Sequence, residues 1–259
     1  MRPGSISAAG LARTALAPVL LGVAAVLLWQ WAVVAFEIKS FILPGPFLIG
    51  GEFAANLQNV VNGMTVTGRN ALIGLLVGAV LGILAAIVAA LLRIVDEMGA
   101  PIVASIAVVP IVALAPVLYT MFGAGAETAR QIVAGLAVFV PVYFNTLKGL
   151  RQVRPVHRDL MRSYAVTSWQ ATKSVTLPTA LPFVFTGLRI ASSLAVISAL
   201  IAEYFGGPVG GLGKSITSSA SGSNYGLAWA YVLGSVLLGL LFYAAALGLE
   251  KLVSRRTNG

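Results

Sequence analysis

Long apolar runs separated by short polar breaks dominate this chain. Six of them (Ala15–Phe36, Arg69–Leu92, Ala100–Phe122, Arg130–Leu150, Phe183–Phe205 and Ala228–Val253) each come near the ~20 residues a helix needs to cross the hydrocarbon core of a bilayer. The pattern predicts an all-α membrane protein with six transmembrane helices. The first run is long, and no small-residue cleavage site precedes a soluble domain, so a retained span is expected there and not a cleaved signal. An even number of crossings places both termini on one side.

Some runs carry finer periodicity. In the second, Gly74, Gly78 and Gly82 recur every fourth residue, a spacing that lets helix backbones approach closely. Packing inside one subunit is the expected use, and a face shared with a second subunit is the alternative. Pro110, Pro116 and Pro141 interrupt the third and fourth runs. Within a bilayer such breaks survive where neighbours or cavity water satisfy the freed carbonyls. They make these spans, with Tyr119, candidates for lining a path, kinked packing being the competing account. Between the first two runs, Leu43-Pro44-Gly45-Pro46 leads into a weakly amphipathic stretch with Phe53, Leu57, Val60 and Met64 on one side. A short interfacial helix is expected there, with a plain connecting loop as the alternative.

The pattern changes at Arg154–Pro182, a basic, proline-bounded segment too short and too charged to span a membrane. Pro155 suits the first position of a helix, where its missing N–H costs nothing. Asp159 falls early in that helix, where a carboxylate complements the positive dipole end. Val156, Leu160 and Tyr164 recur at i, i+4 and i+8 as one apolar stripe, while Arg158 and Arg162 share another face. The expectation is a surface helix at about 155–168 that presents an apolar ridge with basic flanks, a shape that fits a groove on another protein.

Composition agrees with a membrane setting. Hydrophobic residues make up 58% and charged ones 10%, against about 25% charged in a soluble domain. The net charge of +9 does not imply nucleic acid, because the basic residues lie in short loops between spans and not along one face. With the N-terminus cytoplasmic, only Lys39, Arg69, Arg130 and Lys214 fall outside while the remaining loop cations fall inside, which satisfies the positive-inside rule. The chain then divides into a cytoplasmic tail at 1–14, a membrane domain at 15–253 and a second cytoplasmic tail at 254–259.

Candidate chemistry is sparse. The chain has no cysteine, which excludes disulfides, thiolate catalysis and Cys-ligated metals. Pro208-Val-Gly-Gly-Leu-Gly213-Lys214-Ser215 misses the phosphate-binding P-loop pattern because proline stands where glycine is required. It is expected to be an external glycine-rich turn, and the chain is expected not to hydrolyse ATP alone. His157, the single histidine, is expected to be a solvated loop residue; with no cluster of histidines and carboxylates, no metal or cofactor is expected. Arg189 lies about two turns into the fifth run, where a functional charge and a side chain snorkelling to the interface are equal accounts. Glu203 ends that run at a pore mouth or among head groups, and Asn145 caps a helix contact or polarises a path.

The segment around Asp159 also resembles a known motif. Asp159, Ala165, Trp169 and Val175-Thr176-Leu177-Pro178 are spaced like the EAA loop of bacterial ABC importer permeases, E-A-A-x-x-x-G followed by hydrophobic-x-L-P. Asp159 stands in the Glu position, Leu160 and Met161 replace the two alanines, and Ala165 replaces the glycine. The flanking runs Val108–Val153 and Gly187–Gly207 are similar to those of the nitrate/sulfonate/taurine-type subfamily. The resemblance implies the six-helix type I ABC importer (MetI-like) fold in a bacterial inner membrane, multi-pass, both termini cytoplasmic. It implies a non-catalytic permease that pairs with a second permease, identical or paralogous, two cytoplasmic ATPase subunits and an extracytoplasmic substrate-binding protein. Val156, Arg158, Asp159, Leu160, Arg162, Tyr164, Ala165, Leu177 and Pro178 would form the ATPase-coupling surface. Pro110, Pro116, Tyr119, Pro141, Asn145 and Glu203 are the expected path residues. Small anions, or vitamin precursors such as a pyrimidine or riboflavin, are the solutes the resemblance suggests. The competing reading, an ATP-independent secondary transporter or channel, generally needs mid-depth ionisable groups and repeated halves; the spans carry almost no mid-depth acid.

Overall fold

A computed structural model describes the chain from Ala8 to Thr257, with side chains from Leu16 to Val253 other than Ile111, Val112 and Arg158. The ends of the two expected tails, residues 1–7 and 258–259, lie outside the described residues. All regular structure among the described residues is helical. Helix α1 (Ala8–Ala35) is followed by α2 (Pro46–Ala55), α3 (Leu57–Leu91), α4 (Arg93–Val108), α5 (Ile111–Phe122) and α6 (Thr128–Arg151). Then come α7 (Pro155–Ser163), α8 (Ser168–Ala171), α9 (Leu177–Phe205), α10 (Leu212–Ser221) and α11 (Tyr225–Thr257).

Among the described residues five helices are long and apolar enough to cross a membrane, and the pair α4–α5 makes a sixth crossing if counted as one. That pair corrects the expectation of a single span at Ala100–Phe122. The two helices meet at 97°. The break follows from Pro110, which has no N–H to continue the ladder and drives its predecessor Val109 out of the helical region, to φ −59°, ψ 125°. Pro141, by contrast, sits inside an unbroken α6.

Two more boundaries move. Leu57, Val60 and Met64 do not belong to an interfacial helix; α2 stops at Ala55, and α3 starts one residue beyond Asn56 and runs for 35 residues. Only Pro46–Ala55 forms the expected short helix. The fifth crossing begins well before Phe183, because α8, a five-residue π-helical segment at Thr172–Thr176 and α9 follow without interruption. The π turn answers Pro178: Leu177 N–H reaches back five residues to the Thr172 carbonyl, just ahead of a residue that cannot donate.

The core is the contact of α3, α6 and α9. Along α3 the glycine stripe faces α6, as expected for packing inside one subunit. A Cβ at Gly74 would come within 2.5 Å of Ala134 Cβ, one at Gly82 within 2.9 Å of the Phe139 carbonyl, and one at Gly78 would overlap the Gly135 carbonyl. Side-chain-free backbone at these three turns is what lets the helices touch. Val138, Val142, Ala191, Ala195 and Ala199 fill the seam between α6 and α9, fully buried. A hydrogen bond from Gln131 Nε2 to Asn70 Oδ1 (2.9 Å) fixes the α3–α6 register. Among the described side chains, helix α1 meets the bundle near its end, through an edge contact of Trp29 with Trp229 and through Gln30 Oε1, which accepts from Phe47 N–H at 3.2 Å.

Candidate functional site

The surface helix forms as expected, but it is shorter. Pro155 takes the first helical position of α7, and the helix ends at Ser163 instead of reaching residue 168. Its end is a Schellman closure: Val166 N–H donates to the Met161 carbonyl (3.3 Å) and Ala165 N–H to the Arg162 carbonyl (2.9 Å). Ala165, between them, is left-handed at φ +48°. Glycine serves such a position without strain, whereas the alanine here carries the cost of its Cβ. Thr167 then caps α8 in a box with Gln170, whose N–H donates to Thr167 Oγ1 while its side chain accepts from Thr167 N–H.

The apolar stripe that starts on α7 is left uncovered by the described residues. Val156 is 71% exposed, Leu160 47% and Tyr164 71%. Asp159 and Arg162 are also exposed, 4.0 Å apart and one turn along the helix; the Arg158 side chain lies outside the described residues. Behind the helix a cleft of about 350 Å³ separates it from the start of the fifth crossing, with His157, Leu160, Met161, Val175 and Pro178 in its walls. Leu177 and Pro178 are exposed beside it. The expected coupling residues with described side chains therefore gather at one end of the bundle, on the α7 ridge, in the turn after it or at the start of α9.

The expected path residues do not gather in one place. Pro110 and Pro116 are exposed, at the α4–α5 break and inside α5. Asn145 is half-buried on α6, where its Nδ2 donates to the Pro141 carbonyl at 2.8 Å. Tyr119 is 6% exposed and Glu203 is fully buried, so neither opens to a pore mouth within this chain. Arg189 pairs across α9 and α11 with Glu250, at 3.1 Å.

The structure also builds a centre that the sequence pattern hides, because Arg130 reads there as an external loop charge. Its side chain is fully buried in the first turn of α6, 3.4 Å from Glu203 of α9, also fully buried. Glu203 Oε2 accepts from Thr67 Oγ1 of α3 (2.8 Å) and from Gly213 N–H of α10 (3.0 Å), and Leu212 N–H donates to Thr67 Oγ1 (2.9 Å). The guanidinium donates further to the Pro208 carbonyl and, through Nε, to Tyr119 Oη at 3.4 Å. Tyr119 Oη donates in turn to the Ala202 carbonyl at 3.3 Å. The N-terminus of α10, where a phosphate would sit in a P-loop, is thus filled by the chain's own carboxylate. The loop can lie this close because Gly207 and Gly210 take left-handed conformations, at φ +94° and +119°. The legible clue was spacing: a lone arginine and a lone glutamate at the same end of two adjacent spans.

Comparison with known proteins finds relatives of the chain. Residues 78–259 match the family described as binding-protein-dependent transport system inner membrane components. The riboflavin transport system permease protein RibX of Chloroflexus aurantiacus is 34% identical over 88% of this chain and 85% of its own length. The putative aliphatic sulfonates transport permease protein SsuC of Escherichia coli is 32% identical over 72% of each. A crystal structure of an amino acid ABC transporter with histidines has the same fold, with a TM-score of 0.62 at 15% identity, covering 78% of this chain and 96% of that one.

Proposed function

From the chain's membership of the binding-protein-dependent transport system inner membrane component family, we propose that it is one permease subunit of an ATP-driven importer of a small solute. It works with a second permease, two cytoplasmic ATPase subunits and an extracytoplasmic binding protein, and both its termini face the cytoplasm. The observation that carries this reading is the uncovered α7 ridge. Val156, Leu160 and Tyr164 stand out from a helix whose both ends are fixed, by Pro155 and by the Schellman turn. An apolar ridge at a bundle end, flanked by charge, fits a groove in a soluble partner. Closure of the ATPase pair would move this ridge as a rigid body and switch the crossings between two packings.

The solute is a small anion of the nitrate, sulfonate or taurine type or a vitamin precursor such as a pyrimidine or riboflavin, and the pairing of two arginines in the crossing helices weighs toward the less charged of these. Two arginines in the crossing helices are paired with carboxylates, Arg130 with Glu203 and Arg189 with Glu250. An anion crossing the bundle would find neither guanidinium free. A photo-crosslinker placed at Val156 in native membranes tests the assembly. Capture of a P-loop ATPase from the cytoplasmic side is expected, whereas labelling from the cell exterior would end the proposal.

A further inference from the structure

Resting on the importer reading, we propose that Tyr119, Arg130 and Glu203 are positioning residues of the transport cycle, a buried latch that holds the half-helix α5 against the bundle at the end opposite α7. Helix α5 has only 12 residues. It is bounded by the 97° break at Val109–Pro110 and by Gly123, which is left-handed at φ +93° and exposed. Both are points where a chain can absorb a large change of dihedral angle. Among its described residues Ala115 and Tyr119 are the buried ones, so the tyrosine is its main tie to the core.

That tie is loose for a structural one. Its hydrogen bonds, 3.3 Å to the Ala202 carbonyl and 3.4 Å from Arg130 Nε, are both long for their type. Arg130 Nη1 and Glu203 Oε1 face each other at 3.4 Å, and neither has a hydrogen-bond partner among the described residues. A buried ion pair left incomplete contributes little to stability compared with an apolar core, and its best-attested use is to select one arrangement over another. One guanidinium here touches α5 through Tyr119, α9 through Glu203 and the α9–α10 loop through Pro208, so a shift of the first turn of α6 reaches all three. There is room for the response. An apolar cavity of about 380 Å³ lies under the break, between Val109 and Leu114, Ala137 and Pro141 of α6, and Leu194 and Ser198 of α9.

The chain has no cysteine, so an introduced thiol is the one it contributes, and its alkylation is read on the separated permease band. Leu118→Cys on α5 and Val156→Cys on α7 are alkylated by a membrane-impermeant maleimide in the complete transporter in nanodiscs, without nucleotide and with ATP plus vanadate. The expected result is a nucleotide-dependent rate at position 118 that disappears in Tyr119→Phe and Glu203→Gln backgrounds. The slower state should rise about fivefold, the population shift that loss of one buried hydrogen bond gives. Where one variant fails to assemble, the other decides. A merely structural pair would lower the melting temperature and leave the ratio between nucleotide states unchanged, which overturns the latch. So does a position 118 that never responds while position 156 does, an outcome that leaves the importer reading standing. Silence at both reporters overturns the latch, and overturns the importer reading as well where no ATPase co-purifies with the chain.

Discussion

Val166 donates its backbone N–H to the Met161 carbonyl at 3.3 Å, and the turn this closes holds Ala165 at φ +48°. The left-handed conformation costs an L-residue about 1–2 kcal/mol. Ala165→Gly should therefore be neutral or stabilising, with uptake preserved. Ala165→Val, branched at Cβ in the same backbone, should loosen the end of α7. Limited proteolysis between residues 152 and 168, read beside uptake, checks both; equal behaviour of the two variants would show that this turn does not constrain α7.

Leu160→Asp is expected to leave a folded membrane protein that no longer couples uptake to ATP hydrolysis. Burying a leucine contributes roughly 1.5–3 kcal/mol, so its replacement by a charge should weaken ATPase docking by tenfold or more. Co-purification of the ATPase and uptake of solute report the two halves of the claim. Normal uptake would show that the ridge does not dock.

Gly78→Leu should destroy the α3–α6 contact, since even a Cβ there overlaps the Gly135 carbonyl and comes within 2.9 Å of Val138 Cβ. Overpacking of this kind costs about 1–3 kcal/mol, more when backbone is the obstacle. Gly239→Leu is the control, because nothing lies within 4 Å of a Cβ at that position. The yield of a monodisperse peak in detergent separates them: loss for the first, little change for the second.

Arg130→Met leaves the Glu203 carboxylate buried without its cation, and should lower stability by about 3–5 kcal/mol. Glu203→Gln in the same chain removes the orphaned charge and should restore part of that loss. Thermal melting of the single and double variants beside the unaltered protein decides it. A double variant no more stable than Arg130→Met would show that the two side chains are not energetically coupled.

The surface helix was legible because its determinants are local. Pro155, the i, i+4, i+8 stripe and a small residue at 165 each act within a few residues of chain. The use of the glycine stripe was legible for a related reason, since small residues at every fourth position leave little else to a helix than close approach. The α4–α5 break was only half legible. Pro110 announced an interruption, but its 97° turn depends on where α5 finds a seat, against Ala129, Val133 and Ala202 of α6 and α9.

By itself, then, the order of apolar and polar residues determined that the chain is a helical membrane bundle with one polar handle between its fourth and fifth crossings, because bilayer thickness and helix geometry translate length and periodicity directly into crossings. Only the tertiary structure decided that Arg130 and Glu203, 73 positions apart in sequence, would meet in the interior with Thr67 and the start of α10. Nothing local separates a loop charge from a buried one. The difference lies in whether an opposite charge arrives at the same depth on a neighbouring helix, and packing alone settles that.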